Sequence, residues 1–347
     1  MGLSRSPIKM GQTARLFLGK KGFLITLLAL LLASFLGLMF SANLTNLPDY
    51  KVELLQNRVT LLNYYLESFF DYAENVAVIS GYMGLQGVVY DIENRSSYNP
   101  NFMTEYPLCV AVGNLTLTRT CPGMKDKSLS FFLENISESV MEELKINSSY
   151  FINNLTVSPN DDPFSISLNI NLTLYIADAF AKINSTRILS VRIPIEGVLD
   201  PLYAVDGFYD QRIVESAISK REGTWNRSDF EELYNRHEYR SAKRGVSFIN
   251  RILGNITNSS LGIESYVNHT QANVSEILAA NTNLSIVDYL FWNRTSFDCA
   301  ARNPVLIVYL NESDVPSIPA SSPTPLPLDT DHWAEFNFSS GTSYTCS

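Results

Sequence analysis

Phe164-Ser-Ile-Ser-Leu-Asn-Ile-Asn-Leu-Thr-Leu-Tyr-Ile176 decides how the chain reads. Phe164, Ile166, Leu168, Ile170, Leu172, Leu174 and Ile176 alternate with Ser165, Ser167, Asn169, Asn171, Thr173 and Tyr175. A period of two sends one set to each face of a strand, so one face packs on a core and the other meets water. Leu189, Val191, Ile193 and Ile195 repeat the alternation. The two runs predict a long antiparallel hairpin with a loop near Asp178 to Ser185.

Upstream, Leu55, Val59, Leu62, Leu66, Phe69, Ala73 and Val76 fall at alternating steps of four and three. That is the stripe of an amphipathic helix. Leu54, Leu61, Tyr65 and Phe70 widen it, which favours packing on a globular head over a coiled-coil seam. Further upstream, Phe23 to Ala42 carries no charge. Twenty residues at about 1.5 Å each span roughly 30 Å, the apolar thickness of a bilayer. Arg5, Lys9, Arg15, Lys20 and Lys21 precede it, with no acid among residues 1–22. Positive charge before the span orients the amino end to the cytoplasm. A cleaved secretory signal has a shorter apolar region, so the run reads as a retained anchor.

The expected plan is α+β: a cytoplasmic basic segment 1–22, a transmembrane helix 23–42, an amphipathic spine helix 48–92 and an extracellular antiparallel-sheet head 93–347. A Pro-rich stretch, 314–328, should be extended. Weaker signals predict a short hairpin from Cys109 to Thr120 and helices at Ser128–Lys145 and Gln271–Ala280. A capped helix should run from Ser228 to His237, with strands at Leu284–Trp292 and Val305–Leu310. Gly197-Val-Leu-Asp-Pro201 reads as a strand exit and turn.

Asn-x-Ser/Thr sequons begin at Asn43, Asn94, Asn114, Asn135, Asn147, Asn154, Asn171, Asn184, Asn226, Asn255, Asn258, Asn268, Asn273, Asn283, Asn293, Asn311 and Asn337. Chance placement of Ser and Thr would give about 5 among the 30 asparagines, so N-glycosylation on the outer side is expected, Asn43 lying too near the bilayer. Cys109, Cys121, Cys299 and Cys346 lie on the same side and lack CxxC spacing. Disulfides are expected, with Cys109–Cys121 and Cys299–Cys346 favoured as nearest neighbours.

Lys21-Gly22-Phe23-Leu24-Ile25 resembles the processing site of type IV pilin-like proteins, in which a peptidase cuts after the Gly and the apolar helix packs a filament. The succession of membrane helix, amphipathic helix and β-rich head resembles that family too. The chain departs from the bacterial pattern at Leu27, where the family has Glu. Arg192-Ile-Pro-Ile-Glu-Gly-Val-Leu-Asp-Pro-Leu-Tyr-Ala-Val205 resembles a stretch of archaeal membrane-anchored surface proteins.

The net charge of −9 argues against nucleic acid as a partner. Phosphate-loop, zinc-helix and nucleophile-elbow motifs are absent, so no catalytic, cofactor or metal residue is expected. Gly81, Gly84 and Gly87 read as a closely packed or flexible helix end. Asp329-Thr-Asp-His332 reads as a solvated turn. The expected function is a non-enzymatic surface glycoprotein, pilin-like or an adhesion or envelope component. Its partners would be the lipid bilayer, further copies or other surface proteins. The alternative is a membrane-tethered extracytoplasmic enzyme such as a glycosyltransferase.

Overall fold

The computed structural model describes residues 30–34, 47–179, 181–205, 211–217, 229, 232–233, 236, 238–255, 257, 259–265, 305–310, 324–329 and 342–343. These form an α+β protein with antiparallel sheets. The chain divides into two units, residues 1–61 and 62–347. In the first, residues 30–34 are helical and a helix, α1 (Leu47–Arg95), begins. Among the described residues no helix is long and apolar enough to cross a membrane. Of the anchor segment 23–42, all but residues 30–34 lie outside the described residues.

The stripe of α1 changes character along its length. Val52, Leu55 and Val59 are exposed. From Leu62 the stripe is buried through Phe69, Phe70, Ala73, Val76, Ala77, Leu85, Val88 and Ile92. Each of the larger side chains among them contributes about 1.5–3 kcal/mol when removed from water.

β1 (Asn147–Pro159), β2 (Ser165–Ala177) and β3 (Lys182–Pro194) form an antiparallel meander with β2 central. Every apolar residue from Phe164 to Ile176 named above is buried, as are Leu189, Val191, Ile193 and Ile195. The hairpin of β2 and β3 therefore matches its sequence pattern, but its loop is shorter than expected. The backbone turns at Asp178, whose N–H bonds the Ala181 carbonyl at 3.0 Å, and β3 begins at Lys182. Asn184 thus lies in a strand rather than a loop.

Two helices face the buried side of this sheet. The Tyr65 hydroxyl of α1 donates to Ser148 Oγ at 3.0 Å. Tyr150 of β1 donates to the Ser130 carbonyl at 2.8 Å, in α3 (Leu129–Leu144). That helix starts where the sequence predicts, with Ser128 accepting from the Phe131 N–H, and ends on Lys145 in the left-handed region.

The hairpin expected from Cys109 to Thr120 is present only from Asn114, which bridges Thr120 antiparallel; Cys109 to Val112 instead end α2 (Phe102–Val112), which Gly113 closes at φ +77°. Phe102, Glu105, Tyr106, Cys109 and Val110 are buried at helical spacing. The glycines are helix interior, not helix end, because α1 continues to Arg95. They are closely packed: a Cβ on Gly81 would lie 2.5 Å from Ile193 Cδ1, and one on Gly84 3.0 Å from Val110 Cγ2. The missing Cβ atoms let α2 and the sheet approach the α1 backbone, and Tyr106 donates to the Gly81 carbonyl at 3.0 Å.

Past the meander, α4 (Pro201–Val205), β4 (Tyr239–Ser247), α5 (Phe248–Leu253) and β5 (Gly262–Ser265) follow, with β4 pairing β5. Asp229, Glu232, Leu233 and Arg236 are helical, whereas Ser228 and His237 lie outside the described residues. β6 (Val305–Leu310) sits between β7 (Thr324–Asp329) and β8 (Thr342–Ser343). β6 is where the sequence predicts a strand. β7 contains Pro325 and Pro327 and is an edge strand, where alternate N–H groups face away from the neighbour and their loss costs no ladder bond. The segments Gln271–Ala280 and Leu284–Trp292 lie outside the described residues, as do Cys299, Cys346 and His332.

Candidate functional site

In an extended strand, Asn and the Ser or Thr two residues on share a face. The register puts Asn147, Asn154, Asn171 and Asn184 all on the face opposite the buried Ile and Leu set. Asn154 pairs directly with Asn171, and Asn184 pairs with Tyr175. Strict alternation from Asn147 would have turned Asn154 inward. A register shift between Ile152 and Asn154 inserts Asn153 and turns Asn154 outward. The Asn153 amide reaches across to donate to Asn171 Oδ1 at 3.2 Å and Thr173 Oγ1 at 2.7 Å. Thr173 and Thr186, the hydroxyl residues of two sequons, hydrogen-bond each other at 2.8 Å.

The remaining described sequons are also at the surface. Asn94, Asn135 and Asn255 are exposed and Asn114 is half-buried. By contrast Asn99, which begins no sequon, is buried and donates to Glu105 Oε2 at 3.0 Å. Asn43, Asn226, Asn258, Asn268, Asn273, Asn283, Asn293, Asn311 and Asn337 lie outside the described residues.

Cys109 and Cys121 form a disulfide, the favoured pair of the sequence reading. It bridges α2 to the turn after the Asn114–Thr120 β-bridge and lies against α1, where a Cβ on Gly87 would meet Cys121 Sγ at 2.8 Å. A groove of about 320 Å³ opens beside it, lined by Met83, Gln86, Tyr90, Pro122, Leu199 and Arg212 among others. Arg212 in this lining donates to the Gly197 carbonyl at 2.7 Å. Among the described residues its lining has no carboxylate and no nucleophile with a base beside it. Among the described residues no group of three His, Cys, Asp or Glu could hold a metal.

A second polar cluster is wholly buried. Asp200 caps α4 through the Leu202 N–H at 3.0 Å. Its carboxylate accepts from Arg251 Nη1 at 2.6 Å and from the Tyr239 hydroxyl at 3.0 Å. Arg251 also donates to the carbonyls of Val246 and Ile263. Tyr203 bonds Ser265, and Arg240 pairs with Glu264 at 2.9 Å. With guanidinium and carboxylate satisfied by protein groups and closed to solvent, the cluster clamps α4, β4, α5 and β5 together. The turn from Gly197 to Pro201 is legible in the sequence, whereas Arg251, 51 residues on from Asp200, has no local signal.

Burial raises the hydroxyl pKa values of Tyr65, Tyr106 and Tyr150 by desolvating the phenolate. All three are structural donors to helix or strand groups, and none is among the residues that line the groove.

These features define an antiparallel α+β protein with a disulfide between Cys109 and Cys121 and a sequon-bearing sheet face. Compared with protein families, curated proteins and solved structures, the chain has no match.

Proposed function

We propose that the chain is a non-enzymatic, single-pass membrane-anchored surface glycoprotein, pilin-like or an adhesion or envelope component. In this reading residues 23–42 form the transmembrane helix with the amino end cytoplasmic. Residues 48–92 act as the spine, and residues 93–347 form the extracellular head. The bilayer is its first partner, and further copies or other surface proteins are the second.

The observation that carries the reading is the placement of the sequons. All eight described sequon asparagines are exposed or half-buried, and four of them share one sheet face. Glycans need solvent on the attachment side, and a disulfide fits an oxidising exterior. The charge-free run after a basic segment supports the anchor.

Protease added to intact cells should digest residues after Ala42 and spare residues 1–22. Protection of the carboxyl end would overturn the topology. Mass spectrometry of the purified chain then reports the amino terminus, the disulfides and the glycans together.

A further inference from the structure

We propose that the outward face of β1–β2–β3 is a glycan-covered face, with Phe151, Tyr175 and Ile188 as apolar pads beneath the first sugars on Asn154, Asn184 and Asn171. The proposal rests on the surface-glycoprotein reading and assigns particular sequons to a structural role.

These three side chains are 57, 43 and 74% exposed on an otherwise polar sheet face. Exposed apolar groups gathered on one face are where a covering group gains most from apolar contact. Each lies beside a sequon asparagine. Ile188 is the direct cross-strand partner of Asn171, and Tyr175 that of Asn184. Phe151 is the outward residue preceding Asn154 across the bulge, and its ring meets the Tyr175 ring edge-on with centroids 5.6 Å apart. Directly opposed residues have Cβ atoms about 4.5–5.5 Å apart, within reach of a sugar on the neighbouring amide. A pyranose presents a C–H face that packs on an aromatic ring or branched alkyl group while its hydroxyls stay in water, matching the amphipathic character of such sites.

The same geometry disfavours a protein partner. Asn154 and Asn171 stand side by side on the edge strand β1 and the central strand β2. A sugar chain on either fills the space that a flat partner surface would need. The attachment joins Asn Nδ2 to C1 of a sugar carried on a polyprenyl phosphate. The C1–N bond forms, the C1–O bond to phosphate breaks, the lipid phosphate leaves with the electron pair and the amide nitrogen releases one proton.

The test uses the full chain made in an N-glycosylating cell. Glycopeptide mass spectrometry should find Asn154, Asn171 and Asn184 occupied. Empty sheet sequons alongside occupied Asn94, Asn135 and Asn255 would overturn this inference and leave the surface-glycoprotein reading standing. No glycan at any sequon would overturn both. A double-mutant cycle then tests the pad. Ile188→Thr should lower Tm by about 2–4 °C when Asn171 carries its glycan and by much less in the Asn171→Gln background. An equal shift in both backgrounds would show that Ile188 and the glycan do not touch.

Discussion

The Arg251 guanidinium and the Asp200 carboxylate meet at 2.6 Å with both side chains wholly buried, 51 residues apart in sequence. Neither charge can reach water if the other is removed. Arg251→Leu leaves a buried carboxylate, and Asp200→Asn leaves a buried cation, so each should destabilise by about 3–5 kcal/mol. Because they share one interaction, the double variant should lose clearly less than the sum of the two. Urea unfolding of the four proteins measures this, and strict additivity would show that the pair does not hold the clamp.

Gly87 and Gly123 offer a contrast between two costs of adding a methyl group. At Gly87 the new Cβ would stand 2.4 Å from the Pro122 carbonyl oxygen, backbone that the disulfide holds in place. At Gly123 nothing lies within 4 Å, but φ is +73°. Gly87→Ala gains helix propensity yet overpacks, and a net loss of about 1–3 kcal/mol is expected. Gly123→Ala should lose only about 1–2 kcal/mol, the strain of a left-handed residue. Thermal unfolding checks the order, and a stabilised Gly87→Ala would contradict the close approach.

The ease of reading β2 and the failure to read β1 have one cause. From Phe164 to Ile176 alternation is unbroken, so the pattern alone assigns both faces. In β1 the inward residues include Ser148, Tyr150, Ile152, Leu155 and Val157, and the extra Asn153 breaks the period midway. The outward Phe151 blurs it further. In α2, Pro107 sits inside the helix and disguises a helical spacing that tertiary contacts with α1 enforce. The Cys109–Cys121 pairing was legible from proximity, although one cysteine sits on a helix rather than in a hairpin. The convergence of four sequons needed the register, because only the bulge turns Asn154 to the same side as Asn147. The buried clamp left no local pattern at all.

Glu67 and Arg187 join α1 to β3, with Arg187 Nη1 donating to Glu67 Oε2 at 2.8 Å and the guanidinium lying over the Phe70 ring. The hydrogen bond from Arg187 lowers the Glu67 pKa below its ordinary 4.5, and the same bond raises that of Arg187. A carboxylate with a lowered folded-state pKa adds stability above its unfolded value, and loses it as pH falls through the folded one. Wild-type Tm should therefore fall more steeply than that of Glu67→Gln as the pH drops below the ordinary carboxylate range. The effect should be small because Glu67 is exposed, and salt should weaken it. Parallel slopes would mean that the pair is not formed in solution.

The stripe of α1 makes the last distinction. Leu62 is fully buried, whereas Leu55, one heptad earlier on the same stripe, is 46% exposed. Sequence periodicity treats the two alike, so the difference lies in what covers them. Leu62→Ala removes packing and leaves a cavity, at a cost of about 2–5 kcal/mol. Leu62→Glu adds an unpaired buried charge and should prevent stable folding. Leu55→Glu should stay within about 0.5 kcal/mol of wild type, as surface changes do. Circular dichroism and thermal unfolding of the three variants, with sedimentation to follow mass, separate the outcomes. If Leu55→Glu unfolds the protein as Leu62→Glu does, the stripe is covered along its whole length. If Leu62→Glu instead only splits an oligomer into folded monomers, the stripe is a seam between copies and not part of the fold's own core.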